Sequence, residues 1–197
     1  PITSLIGWVT LIKNKNKKET IDEIEKDINR LKIIADRFSK IGSIPILKNQ
    51  NIYLVIFNTI NYLKSRSSKS IIWEINSNKK KIFAPINSIL FSWTIENLIV
   101  NSIDSIKGNG KITINIESSK KYVNVYISDN GLGIKKLDIK NIFKPGYTTK
   151  KRGWGLGLSL SKRIIENYHK GKLSLKETKI NLGSTFIIEL NTTYSKV

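Results

Sequence analysis

The chain has 197 residues, of which 40% are hydrophobic and 25% are charged. These proportions predict a globular protein with a real core and exclude a disordered or collagen-like chain. Cysteine and methionine are absent and His169 is the single histidine, which excludes disulfides, zinc–thiolate centres, cysteine nucleophiles and multi-histidine metal sites. Since a translation product begins with methionine and this chain begins with Pro1, we interpret it as a fragment or a processed chain.

The charge is strongly positive, with 34 lysines and arginines against 15 acidic residues and a formal net charge of +19. Such an excess is typical of proteins that bind nucleic acids or acidic membranes. The lysines are scattered, however, and abundant isoleucine, lysine and asparagine are what an AT-rich genome encodes, so we expect no nucleic-acid partner. No apolar run approaches the about 18 residues that span a bilayer. We therefore expect a cytoplasmic chain without membrane contact, and leave an anchor in upstream segments open.

Residues 1–44 are predicted to form a helical hairpin. Their apolar residues recur at alternating three- and four-residue spacings, a heptad pattern that buries a narrow stripe against partner helices. Thr20 and Glu23 have the spacing of a capping box at the start of the second helix. One hairpin buries little apolar surface, so we expect two copies to form a dimeric four-helix bundle. A hairpin folded onto its own domain is the alternative.

Residues 45–197 are predicted to form a second domain of mixed helices and strands. Long helices between mostly antiparallel strands favour a two-layer α/β sandwich over a doubly wound parallel sheet. The predicted helices are 53–66, 87–106 and 157–168, and the predicted strands are 70–76, 81–84, 110–117, 122–129, 172–178 and 184–191.

The predicted helix 87–106 carries three short polar residues on one face. At about 100° per residue, Asn97, Asn101 and Asp104 align, whereas an exposed helix face normally carries lysine and glutamate. Oxygen-bearing side chains of this kind suit a hydrated Mg²⁺ bound to a polyphosphate. A solvated polar stripe is the alternative.

Two glycine-rich segments lie further along the chain. Asp129 ends a predicted strand before Gly131 and Gly133, and this arrangement suits a flat ligand with an exocyclic amine, such as that of adenine, from which the carboxylate would accept a hydrogen bond. Residues 153–159 lead into a helix whose N-terminus favours anions, and residues 146–152 precede them with hydroxyls and cations suited to a terminal phosphate. A simple turn and a solvated loop are the respective alternatives. Neither a Rossmann fingerprint nor a P-loop is present.

The order of five segments resembles the N, G1, F, G2 and G3 boxes of sensor histidine kinases, which belong to the ATPase superfamily of DNA gyrase, Hsp90 and MutL. The segments are 96–101, 129–133, 142–145, 153–158 and 183–186. The resemblance implies a Bergerat-type α+β two-layer sandwich, with a mixed sheet and helices on one face. Residues 1–5 resemble the segment that follows the phosphoacceptor histidine in the H-box of these kinases, which would place that histidine five residues before Pro1.

The resemblance also implies ATP and Mg²⁺ as cofactors and a nucleotide site spread over the boxes. Asp129 would bind the adenine amino group, and Asn101 would ligate the Mg²⁺ that bridges the phosphates. Phe143 would anchor a mobile lid, roughly residues 135–152. The implied cofactor-binding residues are Asn97, Asn101, Asp104, Asp129, Gly131, Gly133, Ile134, Phe143, Thr148, Thr149, Lys150, Lys151, Gly153, Gly155, Leu156, Gly157, Leu158 and Thr185.

The implied catalytic residues are Lys150 and Arg152, which would neutralise the γ-phosphate, together with Glu96. In the gyrase-like branch a water-activating glutamate occupies the position of Asn97, which favours transfer to histidine over hydrolysis here. Many kinases carry Lys or Arg where this chain has Asp104, so lid cations would bind more of the phosphate.

The function implied is the ATP-dependent core of a two-component histidine kinase. It would phosphorylate a histidine upstream of Pro1 and pass the phosphate to an aspartate of a response regulator. The 197 residues alone would then bind ATP without autophosphorylating, because His169 does not match the acceptor position. The alternative is a nucleotide-dependent dimerisation or ATPase module without kinase activity.

Overall fold

The computed structural model describes residues 45–67, 70–150 and 154–192, together with Ile21, Ile24 and Ile28. The chain divides into two compact units, residues 1–45 and 46–197. In the first unit Ile21, Ile24 and Ile28 are helical. The rest of the predicted hairpin, including its capping box, lies outside the described residues. Among the described residues, no helix has the length and apolar character needed to cross a bilayer.

The second unit alternates strands and helices nearly as the sequence predicts. Its elements are β1 (Lys48–Asn51), α1 (Ile52–Lys64), β2 (Ile71–Ser77), β3 (Phe83–Ile86), α2 (Ser88–Ser105), β4 (Gly110–Ser118), β5 (Tyr122–Asp129), α3 (Gly157–Arg163) with a following π-helical turn (Ile164–Tyr168), β6 (Lys172–Lys179) and β7 (Gly183–Asn191). Only β1 was not predicted; it pairs antiparallel with β3 in a separate two-stranded sheet.

The main sheet has the strand order β2-β4-β5-β7-β6. Its strand pairs are antiparallel except β2 and β4, which are parallel, so the sheet is mixed as expected. Successive side chains of a strand point to opposite faces. The buried face of β4 and β5 is entirely aliphatic, and it consists of Ile112, Ile114, Ile116, Val123, Val125 and Ile127.

Helix α2 packs at the centre of this unit. Asn87 caps its N-terminus by accepting a hydrogen bond from the Leu90 amide at 3.2 Å, which satisfies one of the free N–H groups of the first turn. Leu98 and Ile99 are fully buried in the core, and each such side chain contributes about 1.5–3 kcal/mol through burial. The polar face with Asn97, Asn101 and Asp104 is thereby turned away from the core.

Candidate functional site

Asp129, the last residue of β5, is held as an oriented acceptor against α2. Its Oδ1 accepts from the Gly131 amide at 2.9 Å and from Ser105 Oγ at 3.0 Å, and its Oδ2 accepts from Ser102 Oγ at 3.1 Å. The single proton of Ser105 Oγ is shared with the Ser102 backbone oxygen, which lies 2.8 Å away. Asp129 was predicted from the sequence, but both serines were missed. Their three-residue spacing on the helix that carries the Asn face was the available signal, because it places them on one side of α2.

The glycines after Asp129 allow close packing of the protein on itself. A Cβ at Gly131 would lie 2.0 Å from Ser105 Oγ, and a Cβ at Gly133, whose φ is +69°, would lie 2.3 Å from the backbone oxygen of Lys179. Close approach was expected here, but of a ligand rather than of α2 and the β6–β7 turn. The next residue, Ile134, donates its amide hydrogen bond to Thr178 Oγ1 at 2.9 Å.

The structure does not bring Thr185 to Asp129. Thr185 is the register partner of Ser128, and their hydroxyl oxygens are 3.0 Å apart. Because Ser128 and Asp129 are adjacent on one strand, their side chains point to opposite faces of the sheet. Ser184 is the partner of Asp129 and lies on the Asp129 face. Thr185, which the resemblance implied as a cofactor-binding residue, therefore lies on the opposite face of the sheet from Asp129.

The residues of the predicted polar face of α2 contact two different parts of the structure. Asn97 Nδ2 donates to the Gly157 backbone oxygen at 3.4 Å and to Ser161 Oγ at 3.2 Å, which ties α2 to the first turn of α3. Asn101 and Asp104 instead meet Lys150, whose Nζ lies 2.7 Å from Asn101 Oδ1 and 2.7 Å from Asp104 Oδ2. The structure thus brings together two predicted α2 residues and the predicted lysine.

Glu96 is half-buried on α2. Lys151, Arg152 and Gly153 lie outside the described residues.

Residues 130–150 and 154–156 lie between β5 and α3, and they contact the rest of the unit at several points. Phe143 packs edge-on against Phe186 of β7, with ring centroids 6.3 Å apart. Tyr147 donates a 2.6 Å hydrogen bond to Asp138 Oδ1, and this bond raises the pKa of the Tyr147 phenol.

Within this segment, the backbones of Gly146 and Gly155 are in close contact. The Gly146 amide donates to the Gly155 oxygen at 3.1 Å, and a Cβ at Gly155, whose φ is +65°, would lie 2.5 Å from the Gly146 carbonyl carbon. Thr149 and Leu156 are exposed, whereas Leu158 in α3 packs against the core. Gly157 begins α3 next to the Asn97 side chain.

His169 is a buried structural residue. Its Nε2 accepts from the Asn87 amide at 3.0 Å, and its Nδ1 donates to the Ile164 oxygen at 2.9 Å, so the neutral ring joins the π-helical turn to the start of α2. Burial lowers the pKa of His169, outweighing its backbone hydrogen bonds. With 4% of its surface exposed and both nitrogens bonded, the ring is closed to a reaction partner.

Residues 87–194 match the family model of the histidine kinase-, DNA gyrase B-, and HSP90-like ATPases. This range starts with the cap of α2 and includes Asp129, Asn101 and Lys150. The chain belongs to this ATPase family. The resemblance to sensor histidine kinases within it is confirmed, because the curated relatives it matches include the signal transduction histidine-protein kinase AtoS of Escherichia coli. The two are 27% identical over 96% of this chain and 32% of AtoS, so the chain spans about a third of that relative's length.

Solved structures confirm the fold of this ATPase domain. The nucleotide-free catalytic domain of the histidine kinase ThkA is 28% identical, with a TM-score of 0.68 over 75% of this chain and 96% of that domain. ThkA in complex with the response regulator protein TrrA matches at 24% identity, with a TM-score of 0.69 over 98% of this chain and 58% of that one. The second likeness concerns the fold alone.

Proposed function

We propose that this chain is the ATP-binding catalytic part of a sensor histidine kinase and transfers the γ-phosphoryl group of Mg·ATP to a histidine. The observation that carries the proposal is the Asp129 carboxylate, oriented by Ser102 and Ser105 on the helix that also presents Asn101. A fixed carboxylate accepts from the amino group of adenine and repels the carbonyl oxygen that guanine has there. An adenine at Asp129 would direct its phosphates along α2.

The phosphate end has side chains that suit a metal-bound polyphosphate. Asn101 Oδ1 is an acceptor oxygen that contacts a cationic nitrogen, Lys150 Nζ. Mg²⁺ prefers oxygen ligands of this kind. The described residues contain no group of three or more His, Cys, Asp or Glu that could hold a metal ion. Mg²⁺ would therefore arrive with the nucleotide, with Asn101 as its protein ligand, and would neutralise charge on the phosphates. Among the residues that the structure describes, Lys150 supplies positive charge next to Asn101.

Other predicted site residues have structural or electrostatic roles in the proposed function. Asn97 holds the start of α3 against α2, and Phe143 anchors the connecting segment at the core. Arg152 and Lys151 would add charge at the γ-phosphate. Phosphoryl transfer depends mainly on positioning and charge stabilisation, so these groups suffice without a covalent intermediate in this domain.

The acceptor histidine is proposed to lie outside these 197 residues. His169 is the single histidine of the sequence and is buried with both nitrogens bonded. In the proposed step the bond between the γ-phosphorus and its bridging oxygen breaks, a phosphorus–nitrogen bond forms on the acceptor imidazole, and ADP leaves. The acceptor would be the histidine inferred upstream of Pro1, and the 197 residues alone would not autophosphorylate.

The proposed partners derive from the likeness to histidine kinases. ThkA was solved in complex with a response regulator, and we propose that the phosphoryl group transferred by this chain passes to an aspartate of such a protein. We also propose that residues 1–44 dimerise as a hairpin and that the chain is cytoplasmic. Size-exclusion chromatography with light scattering would test the dimer, because the measured mass should be twice the chain mass of 22.4 kDa.

Calorimetry and radiolabelling test the function. The chain should release heat with Mg²⁺ and a non-hydrolysable ATP analogue, and guanine nucleotides should bind more weakly. With [γ-³²P]ATP it should stay unlabelled, whereas a chain extended upstream to the acceptor histidine should gain acid-labile, alkali-stable label. Absence of adenine-nucleotide binding would reject the proposal. Nucleotide binding without label on the extended chain would favour the dimerisation module instead.

A further inference from the structure

Exposed lysines gather at the end of the main sheet that is opposite to Asp129, and we call this surface the lysine end. They belong to the loop between β2 and β3, the turn between β4 and β5, and the residues before β6. These are Lys79, Lys80, Lys81, Lys120, Lys121 and Lys170. Because β5 runs from Tyr122 to Asp129, the two ends of the sheet are about 23 Å apart at the rise of a β-strand.

Hydrogen bonds join the three connections into one surface. Asn78 Nδ2 donates to the Ser118 backbone oxygen at 3.2 Å, and the Ser118 amide donates to Asn78 Oδ1 at 3.3 Å, which links the first loop to the turn. The end of β7 links the turn to the residues before β6. The Thr192 amide donates to the Lys121 backbone oxygen at 3.0 Å, and the side chain of the preceding asparagine donates to the Lys170 backbone oxygen at 3.4 Å.

The positive charge of the lysine end is largely uncompensated. Within the described part of the chain, none of its six ammonium groups makes an ion pair with a carboxylate. The acidic residues of the adjoining strand ends are Glu117, which is exposed, and Glu189, which lies 3.9 Å from Lys172. At a strand spacing of about 4.8 Å, the connections at β2 and β6 are about 19 Å apart. The lysine end is therefore a broad, positively charged surface rather than a point site.

An anionic lipid surface matches this arrangement better than a nucleic acid does. Lysine is a hydrated point charge that suits a diffuse negative surface, whereas arginine, whose planar fork pairs with individual phosphates, is absent from the six residues. None of the six lies on a helix that could enter a major groove. Phe83 and Tyr122 follow the lysines in sequence and are 47% and 53% exposed. Aromatic side chains of this kind are favoured among lipid headgroups.

We propose that the lysine end binds peripherally to the surface of a membrane that contains anionic lipids. Membrane contact was not expected from the sequence, because these lysines are spread over residues 79–170, and only folding brings them together. The nucleotide site proposed at the other end of β5 would then stay open to solvent. The lysine end shares no residue with that site, so its role does not depend on the proposed function.

Co-sedimentation of the whole chain with lipid vesicles tests the lysine end. The chain should bind vesicles of phosphatidylcholine with about 30% phosphatidylserine but not vesicles of phosphatidylcholine alone. Binding should be lost at about 1 M salt, where the Debye length falls to about 3 Å. The double variant Lys120→Gln/Lys121→Gln should bind the anionic vesicles about 25-fold more weakly, since each lysine near such a surface contributes about fivefold.

A second pair and a matched control separate the lysine end from the overall charge. Lys79→Gln/Lys80→Gln should weaken binding by a similar factor, because it removes two lysines from another connection of the same surface. Lys135→Gln/Lys136→Gln removes two adjacent exposed lysines shortly after Asp129. This control should lose less than about twofold, since it lies beyond the Debye length of about 10 Å from the lysine end at about 0.1 M salt.

Three outcomes overturn the proposal. Equal binding to the neutral vesicles would remove the role of charge, and equal losses in all three double variants would assign binding to the net charge of +19 as a whole. If Lys120→Gln/Lys121→Gln weakens binding to duplex DNA but not to vesicles, the surface binds nucleic acid instead. Equal melting temperatures would confirm that the variants fold. No nucleotide is present in these measurements, so their failure is distinct from failure of the proposed function.

Discussion

The base end and the phosphate end of the proposed nucleotide site on α2 differ in how firmly they are built. At the base end, three hydrogen bonds hold the Asp129 carboxylate, and Ser102 is only 1% exposed. At the phosphate end, Asn101 and Asp104 meet an exposed lysine from a connecting segment. A rigid end selects one base because its acceptor cannot reorient, whereas an exposed end changes partners with a small change in free energy.

The largest effect should come from removing the acceptor at the base end. Asp129→Ala removes a charged hydrogen-bond acceptor and leaves the Ser102 and Ser105 hydroxyls without it, so affinity for the Mg²⁺-bound ATP analogue should fall more than about 100-fold. Calorimetry measures the change, and Glu117→Gln, an exposed residue of β4, is the control. A loss of less than about fivefold would place the base elsewhere.

The close packing that makes the base end rigid can be disrupted by a substitution at Gly133. A Cβ there would lie 2.3 Å from a backbone oxygen, whereas a Cβ at Gly108, whose φ of +78° is similar, meets nothing within 4 Å. Both alanine variants carry the strain of a left-handed residue, but only Gly133→Ala also displaces backbone, so it should lose about 2 kcal/mol more stability. Urea unfolding measures the difference. Equal losses would show that the β6–β7 turn moves aside freely.

Lowering the pH should weaken the contact between His169 and the start of α2, the helix that carries both ends of the proposed site. Burial lowers the folded pKa of His169 below its unfolded value of about 6.5. The folded state therefore binds fewer protons than the unfolded state, and stability should be full above that pH and fall below it, by at most about 1.4 kcal/mol per pH unit.

Urea unfolding between pH 7 and pH 5 checks this dependence. Since His169 is the only histidine, His169→Gln should flatten the curve in this window while lowering stability at pH 7. An unchanged slope in the variant would assign the dependence to carboxylates.

The smallest effect should come from one serine of the base end. Ser102→Ala removes one of three donors to Asp129, so affinity for the ATP analogue should fall by about fivefold, the equivalent of one hydrogen bond. Ser92→Ala changes the same residue type on the same helix away from Asp129 and serves as the control. If both variants bind equally well, the Gly131 amide and Ser105 suffice to orient the carboxylate.

The sequence was informative where a local pattern determines the structure. Alternating apolar residues located β4 and β5, and the polar residues 118–121 marked the turn between them. β1 was missed because Lys48–Asn51 has no apolar alternation and becomes a strand only by pairing with β3, which is distant in sequence.

The family was predictable by resemblance, whereas the internal contacts of the proposed site were not. The face of Thr185 was not predictable, because it depends on the register that pairs Asp129 with Ser184. Ser102 follows the apolar pattern of α2, and only the approach of β5 shows that its hydroxyl has a partner. The contact of Lys150 with Asn101 depends on a turn that no periodic pattern encodes.

One helix carries the contacts of both ends, so the angular spacing of residues on α2 sets the direction of one end relative to the other. Asn101, Ser102, Asp104 and Ser105 follow one another within about one helical turn, and adjacent residues point about 100° apart. Inserting one alanine between Asn101 and Ser102 would rotate the serines by about 100° relative to the amides. The number of residues between Asn101 and Ser102 therefore determines whether both ends can act on one ligand.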